Sequence, residues 1–274
     1  MSKIKIIIPS YKRSNKLVFQ QWIPKSFYSN VYIIVREEEE EAYKFLEGMI
    51  NVVYLSGITG IHDKRHEITK LFANEKIWMV DDDVTIHDTY NADGWRRHND
   101  QVISESQFYD LINETSNLLD KYPYGVIRTK GPFRFPFNKP EIELNTWNYT
   151  NTFLNLSIVN SNILGCDQVE HAEDIWAFCS VHKLKYETFC YNKFFSISPP
   201  PKKNKENGGM SQIRKGKMMT DSHKKIVENF PEYVKLKTPK KQLDFLEKND
   251  DVPLMTSIRI NKRKDELANL GSFL

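Results

Sequence analysis

The stretch from Ile77 to Val84 constrains the fold of this chain more than any other. Four apolar residues, Ile77-Trp78-Met79-Val80, follow a turn-prone segment and are typical of a short strand that is buried on both faces. Three consecutive carboxylates then end this strand, because a buried strand cannot continue through Asp-Asp-Asp. In α/β proteins the carboxyl edge of a parallel sheet is where ligands bind. The stretch therefore predicts a ligand-binding acidic cluster at the edge of a parallel sheet.

The acidic cluster Asp81-Asp82-Asp83 has the composition of a divalent metal site. Carboxylates this close repel one another and favour a compensating cation. Mg²⁺ and Mn²⁺ take oxygen ligands, commonly carboxylates together with substrate phosphates. Alternation along an extended chain predicts that Asp81 and Asp83 face one side as metal ligands, with Asp82 on the other side contributing to donor binding. A solvated acidic turn is the alternative, and the buried strand directly before it argues against that.

Strand and helix patterns alternate through residue 84. Apolar runs at residues 4–8, 31–35 and 52–55 predict three more strands, separated by segments with helical periodicity. Such alternation favours a parallel sheet with right-handed crossovers. The acidic run Glu37–Glu41 is interpreted as a solvated helix start, where glutamates are favoured by the helix dipole.

Length and composition predict one large α/β domain with an appendage. The chain has 274 residues and is 40% hydrophobic, which is enough for a substantial core. We expect a core over residues 1–198 and a basic extension over residues 199–274 that packs on the same domain. The N-terminus enters a strand without a signal-peptide pattern, and no apolar run reaches the length of a bilayer, so a cytosolic protein is expected. Three cysteines without metal-ligand spacing (Cys166, Cys179 and Cys190) are expected to be reduced core thiols.

A polar loop follows the first strand. Pro9 ends that strand, and Ser10, Tyr11, Lys12 and Arg13 come next. An aromatic ring here can stack on a base, and the cations can meet a diphosphate. This pattern indicates a nucleotide-binding loop, and an ordinary polar turn is the alternative.

A second acidic group precedes an apolar helical pattern. Glu170, Glu173 and Asp174 lie around one turn before Ile-Trp-Ala-Phe. A carboxylate within reach of an acceptor hydroxyl can act as a general base, and Asp174 is the first choice for that role, followed by Glu173. A simple N-terminal helix cap is the alternative.

Two basic stretches favour a nucleic-acid partner. Residues 128–140 interleave four cations with three phenylalanines, a combination that suits base stacking and phosphate contacts. Residues 199–225 hold eight Lys or Arg against two acids, and this segment with Gly208 and Gly209 is expected to order over a diphosphate or to follow a DNA backbone. A satellite apolar cluster and a solvated linker are the respective alternatives.

The residues described above carry a family resemblance. Ile-Ile-Ile-Pro-Ser-Tyr-Lys-Arg at the start, a Gly-rich stretch followed by Arg65, the Asp-x-Asp after the fourth strand and Glu173-Asp174 resemble a glycosyltransferase of the GT-A type. More narrowly, Pro-Ser-Tyr-Lys-Arg-Ser, Asp-Asp-Asp-Val and Asn207-Gly208-Gly209 are similar to the TET-associated glycosyltransferase group, which is related to the base J glucosyltransferase and is found in phages and some eukaryotes.

The resemblance implies a GT-A, Rossmann-like and mostly parallel sheet flanked by helices. It further implies a nucleotide-sugar donor such as a UDP-sugar, a Mn²⁺ or Mg²⁺ ion, and a hydroxymethylated pyrimidine of the 5-hydroxymethylcytosine type in DNA as acceptor. Arg65 would help to bind the nucleotide, and His223 would be a third metal ligand, since GT-A enzymes often supply a late histidine. A transferase acting on a polysaccharide, lipid or protein, and a non-catalytic basic DNA-binding module, remain the alternatives.

Overall fold

A computed structural model describes residues 4–58, 60–88, 101–129, 140–147, 151–165, 167–198, 216–237 and 257–260. Within these ranges, no helix is long and apolar enough to cross a membrane. The structure is a mixed α/β fold in which helices flank a large central sheet, as the sequence predicts.

The N-terminal half of the sheet follows the predicted order. The strands are β1 (Lys5–Pro9), β2 (Val31–Arg36), β3 (Asn51–Leu55) and β4 (Lys76–Met79). They lie in the order β3-β2-β1-β4, and all three pairings are parallel. The carboxyl ends of β1 and β4 therefore meet at one edge, which brings the loop after Pro9 to the acidic cluster.

The remaining strands make the whole sheet mixed and not mostly parallel. They are β5 (Thr85–Asp88), β6 (Tyr124–Thr129), β7 (Ile142–Leu144), β8 (Thr152–Asn155) and β9 (Thr188–Ile197). Over the described residues the nine strands run β3-β2-β1-β4-β8-β6-β9-β5, with β7 also on β9. Strand β8 is antiparallel to both β4 and β6, β9 is parallel to β6, and β5 and β7 are antiparallel to β9.

Helices cover both faces of the sheet. They are α1 (Glu40–Tyr43), α2 (Ile61–Leu71), α3 (Glu105–Lys121), α4 (Glu173–Lys183) and α5 (Gly216–Asn229). Short 3-10 helices span Phe19–Gln21, Lys25–Asn30, Glu37–Glu39, Lys44–Leu46 and Ser161–Leu164. The amphipathic pattern of residues 17–22 predicts a helix after the first loop, and only the 3-10 turn Phe19–Gln21 forms there. Helix α3 begins with a capping box, in which the Ser104 hydroxyl accepts from the Gln107 N–H.

Two apolar clusters lie on opposite faces of the sheet. Ile6, Ile8 and Trp78 belong to the cluster that includes α3, whereas Ile7 and Met79 belong to the cluster that includes α2, α4 and α5. Successive residues of β1 and β4 therefore alternate between the two clusters, which explains their uninterrupted apolar sequences.

The C-terminal segment does not extend the central sheet. Strand β10 (Val234–Lys237) pairs antiparallel with β11 (Ser257–Ile260) in a separate two-stranded sheet. The sequence of residues 255–260 is strand-like and predicts a segment that either closes the large sheet or covers its edge, and the pairing of β11 with β10 shows that it does not close the sheet. Cys179 and Cys190 are buried free thiols as predicted, and Cys166 lies outside the described residues.

Candidate active site

The three aspartates after β4 lie in a tight turn. The Val84 N–H donates to the Asp81 carbonyl over 3.2 Å, so the chain leaves the extended conformation at this point. Asp82 and Asp83 both accept from Nη1 of Arg13, whereas Asp81 accepts from Arg65. Asp82 therefore does not face away from Asp83, as the predicted alternation requires, because the two-residue period of a strand ends where the turn begins.

Arg13 joins the loop after β1 to the acidic turn. Its Nη1 lies 2.7 Å from Oδ1 of Asp82 and 2.5 Å from Oδ2 of Asp83, and its side chain is 10% exposed. Burial lowers the pKa of Arg13, but the two carboxylates outweigh this effect and the pKa is raised. Burial raises the pKa of Asp82 to about 6 and also raises that of Asp83, although Arg13 acts against both shifts. The turn therefore still favours additional positive charge.

A buried hydroxyl pair fixes the loop after β1. The Ser10 hydroxyl donates to Oδ2 of Asp82 over 2.5 Å and lies 2.7 Å from the Tyr43 hydroxyl. The Arg13 N–H also donates to the Tyr43 hydroxyl, over 3.1 Å. Burial raises the pKa of Tyr43 to about 12, so this hydroxyl is neutral near pH 7. Tyr43 has no local sequence signal for this role, since it lies 33 positions from Ser10.

Lys64 of α2 and Glu39, which follows β2, also hold the loop after β1. The buried Lys64 ammonium donates to the Ser10 carbonyl, and the Lys12 N–H donates to Oε1 of Glu39 over 2.6 Å. Lys12 has φ 54°, in the left-handed region. Burial lowers the pKa of Lys64 to about 8, although Glu39 acts to raise it. Glu39 is thus a loop anchor, which differs from the predicted solvated helix start.

Arg65 bridges the acidic turn to the second acidic group. Its Nη2 lies 2.9 Å from Oδ1 of Asp81, and its Nη1 donates to Oε1 of Glu173. One guanidinium from α2 therefore connects the end of β4 with the start of α4. The structure brings the two predicted acidic groups together through this residue, which the sequence assigned to nucleotide binding.

The start of α4 presents Glu173 and Asp174. Glu173 is 6% exposed, and the Tyr124 hydroxyl donates to the Asp174 carbonyl over 3.3 Å. The preceding residue, Ala172, has φ 64° and ψ 34°. Burial and, to a lesser extent, the charge of Glu173 raise the pKa of Asp174 to about 7, and Arg65 opposes the shift. Asp174 is therefore poised to exchange a proton near neutral pH.

Tyr11 lies beside the end of β2. The Arg36 guanidinium carbon lies 4.4 Å from the centroid of the Tyr11 ring, and Nζ of Lys12 lies 5.2 Å from it. Pro9 is the last residue of β1 and pairs with Ile34.

At the neighbouring carboxyl end of β3, an open cavity of about 420 Å³ is lined by residues of β3, of the loop after it and of α2: Tyr54, Leu55, Ser56, Gly57, Ile58, Asp63, His66 and Glu67.

His223 lies in α5 and not in the loop before it. Its ring centroid is 5.9 Å from that of His171, near the start of α4. Across the part of the chain that the structure describes, no three His, Cys, Asp or Glu side chains cluster as metal ligands. A metal site made by Asp81, Asp83 and His223 stays a prediction. Gly208 and Gly209, with residues 199–215, lie outside the described residues.

Arg128 does not lie in the predicted basic loop. It belongs to β6, where its Nε lies 2.8 Å from Oδ1 of Asn192 and its Nη2 lies 2.7 Å from Oε2 of Glu143. These bonds hold Arg128 within the sheet, while residues 130–139 of the predicted loop are outside the described ranges.

Comparison with known proteins identifies the family. The family model described as TET-Associated Glycosyltransferase matches residues 4–200, which includes β1, the acidic turn and Glu173-Asp174. This chain belongs to that family. It is therefore an enzyme that transfers sugars, as the sequence predicts.

Two phage relatives align with this TET-associated glycosyltransferase over almost its whole length. A beta-glucosyl-HMC-alpha-glucosyl-transferase of Enterobacteria phage T6 is 28% identical over 271 residues, covering 96% of this chain and 95% of the relative. The protein of the same name from Enterobacteria phage T2 is 27% identical with the same coverage. Among solved structures, S. aureus TarS residues 1–349 match at 13% identity and a TM-score of 0.40, covering 70% of this chain and 60% of TarS.

Proposed function

We propose that this enzyme transfers a glucosyl residue from a nucleotide-sugar to a glucose already attached to hydroxymethylcytosine (HMC) in DNA. The observation that carries this proposal is the alignment with two beta-glucosyl-HMC-alpha-glucosyl-transferases over 96% of this chain and 95% of each relative. An alignment of that extent includes the acceptor-side segment around Glu173 as well as the donor-side turn. The acceptor hydroxyl would then belong to a sugar and not to the base.

Asp81 and Asp83 would hold a Mg²⁺ or Mn²⁺ ion against the donor diphosphate. Carboxylate oxygens are the ligands that these hard ions prefer. Burial raises the pKa of Asp83, which supports the need for a further cation beside Arg13. A bound ion would neutralise the charge that develops on the departing diphosphate. His223 remains the candidate for a third ligand.

The nucleotide would lie across the carboxyl ends of β1, β2 and β3. Tyr11 offers a half-buried ring beside the Arg36 guanidinium, and Lys12 is exposed at the tip of the loop. The cavity at the end of β3 supports a place for the base or ribose. Arg13 already pairs with Asp82 and Asp83, so we assign it to keeping the loop and the turn in register while it lies near the diphosphate. Asp82, which bonds Ser10 and Arg13, would hold this loop in place and would not itself contact the nucleotide-sugar.

Asp174 would orient the acceptor hydroxyl and accept its proton. Its pKa of about 7 allows an ionised carboxylate to take up a proton close to neutral pH. Glu173 would keep Arg65 in place, and Arg65 would keep Asp81 aligned. The donor-side and acceptor-side carboxylates would thereby hold a fixed separation, which transfer between two bound substrates requires.

Three DNA duplexes of identical sequence test the proposal. They contain cytosine, HMC or β-glucosyl-HMC, and each is incubated with a panel of nucleotide-sugars before the nucleosides are analysed by mass spectrometry. We expect one added hexose on β-glucosyl-HMC alone. Addition to HMC would move the acceptor to the base, and the absence of added sugar on all three duplexes would overturn the proposal.

A further inference from the structure

The turn before α4 adopts a conformation that its own sequence disfavours. Ala172 has φ 64°, a region that residues with a Cβ seldom occupy outside Asn and Asp. Such a conformation persists only where the surroundings hold it, and it is concentrated at functional sites. Here it comes directly before Glu173 and Asp174, so the direction of these two side chains depends on what holds the turn.

Helix α5 holds this turn from the side. The His171 N–H donates to the Ser222 hydroxyl over 3.2 Å, and Ser222 is 3% exposed. Three residues further along α5, the Lys225 ammonium donates to the Gln168 carbonyl over 3.0 Å. The backbone from Gln168 to His171 is therefore tied to one helix at two points. That helix lies beyond residue 200, where the family match ends.

We propose that Ser222 is a positioning residue of the transfer reaction. By accepting the His171 N–H, its hydroxyl keeps Ala172 in the left-handed conformation that directs Glu173 and Asp174 toward Arg65 and the acceptor. This inference rests on the proposed function, because it takes Asp174 as the acceptor-side carboxylate. It also gives the C-terminal extension a part in the active site that is separate from DNA binding.

Apolar packing against α4 fixes the position of α5, and with it the bond between Ser222 and His171. Ile226 of the helix and Phe230, which directly follows it, are buried, and the Phe230 ring lies 4.9 Å from the Trp176 ring in α4. Because α5 packs on α4 through these apolar residues, loss of the Ser222 hydroxyl should leave the helix docked. The change would then be confined to the turn.

Kinetic measurements on two variants of α5 test the positioning role. Ser222→Ala should lower kcat for transfer by about 10-fold to 100-fold with the donor dissociation constant unchanged, since small displacements of reacting groups have effects of that size. Ser222→Thr, which keeps the hydroxyl, should retain most of the activity. Val227→Ala is the matched control, because Val227 is a partly buried apolar residue of α5 that packs against the core. It should lower Tm with kcat near that of the wild type.

A second-site change separates positioning from stability. Glycine occupies the left-handed region without steric cost, so Ala172→Gly in the Ser222→Ala background should recover part of the lost kcat. The proposal is overturned if kcat falls in proportion to Tm in Ser222→Ala and Val227→Ala alike, or if Ala172→Gly recovers nothing. Asp174→Asn is measured on the same DNA. Full activity of this variant would reject the acceptor role of Asp174. If Asp174→Asn is inactive while Ser222→Ala is fully active, only the positioning role of Ser222 is rejected.

Discussion

Nη2 of Arg65 lies 2.9 Å from Oδ1 of Asp81, which links the first half of α2 to the turn after β4. The other guanidinium nitrogen of Arg65 bonds Glu173, so a planar group spans the two acidic segments. Arg65 therefore joins Asp81 to Glu173, the two segments to which we assign the donor and the acceptor.

Arg65→Lys should lower transfer by about 10-fold to 100-fold, because a single ammonium cannot bond both carboxylates in the geometry of a guanidinium. Steady-state transfer to DNA measures this effect. Lys70→Gln is the control, since Lys70 pairs with Glu67 on the exposed face of the same helix and should have wild-type activity. Equal activity in Arg65→Lys and Lys70→Gln would reject the bridging role.

Asp83→Asn should lose most turnover while the protein remains folded. A carboxamide carries no charge and binds a hard divalent ion more weakly than a carboxylate does. Turnover across a Mg²⁺ and Mn²⁺ titration, with circular dichroism to confirm folding, measures the loss. Unchanged activity in this variant, or full wild-type activity in the presence of a chelator, would rule out the metal assignment.

The pH dependence of transfer tests Asp174. Because the carboxylate must be ionised to accept a proton, and burial together with Glu173 raises its pKa to about 7, kcat should rise with pH through about 7 and then level. Below that value the protonated acid cannot act as a base. Asp174→Asn should lack this limb of the profile and transfer at least about 10²-fold more slowly, with donor binding measured by calorimetry nearly unchanged. If Asp174→Asn keeps the rise of kcat with pH, the group that titrates near pH 7 is not Asp174.

The parallel half of the fold could be predicted from the sequence, whereas the antiparallel half could not. Strands β1 to β4 are apolar on both faces, so their runs stand out against the loops. Strand β8, Thr152-Phe153-Leu154-Asn155, lies between β4 and β6 but is only four residues long in an Asn- and Thr-rich context. Its polar ends are buried by neighbours that no local pattern reveals, so it was not predicted.

The candidate site, like the fold, contains some residues that the sequence predicts and others that it does not. The residues around Ser10, Asp81 and Glu173 have local sequence signals, and the structure places them together at one edge of the sheet. Tyr43 and Lys64, which hold the loop after β1, lie 33 and 54 positions from Ser10, and their roles arise only from packing. The sequence left the turn at Asp81 as one of two alternatives, since three aspartates are compatible with a turn and with an extended chain.

Lys64 should make stability depend on pH in the alkaline range. Burial lowers its pKa from 10.5 to about 8, so between these values the unfolded chain binds more protons than the folded chain and stability rises with pH. Relative to Lys64→Met, the wild type should gain up to about 1.4 kcal/mol per pH unit in this window. Urea unfolding of both proteins at several pH values measures the difference. If the difference in stability between the wild type and Lys64→Met stays constant over this pH range, the Lys64 ammonium is better solvated than its burial indicates.

Mass spectrometry of the product DNA shows which group accepts the transferred sugar. The acceptor duplex carries β-glucosyl-HMC whose glucose is labelled with ¹³C, and the donor is an unlabelled nucleotide-glucose. Transfer to the attached glucose predicts nucleosides with two hexoses, in which fragmentation releases the unlabelled hexose alone and the labelled hexose remains on the base. Labelled sugar released alone, an unlabelled hexose found directly on HMC, or product DNA with no second hexose would contradict it.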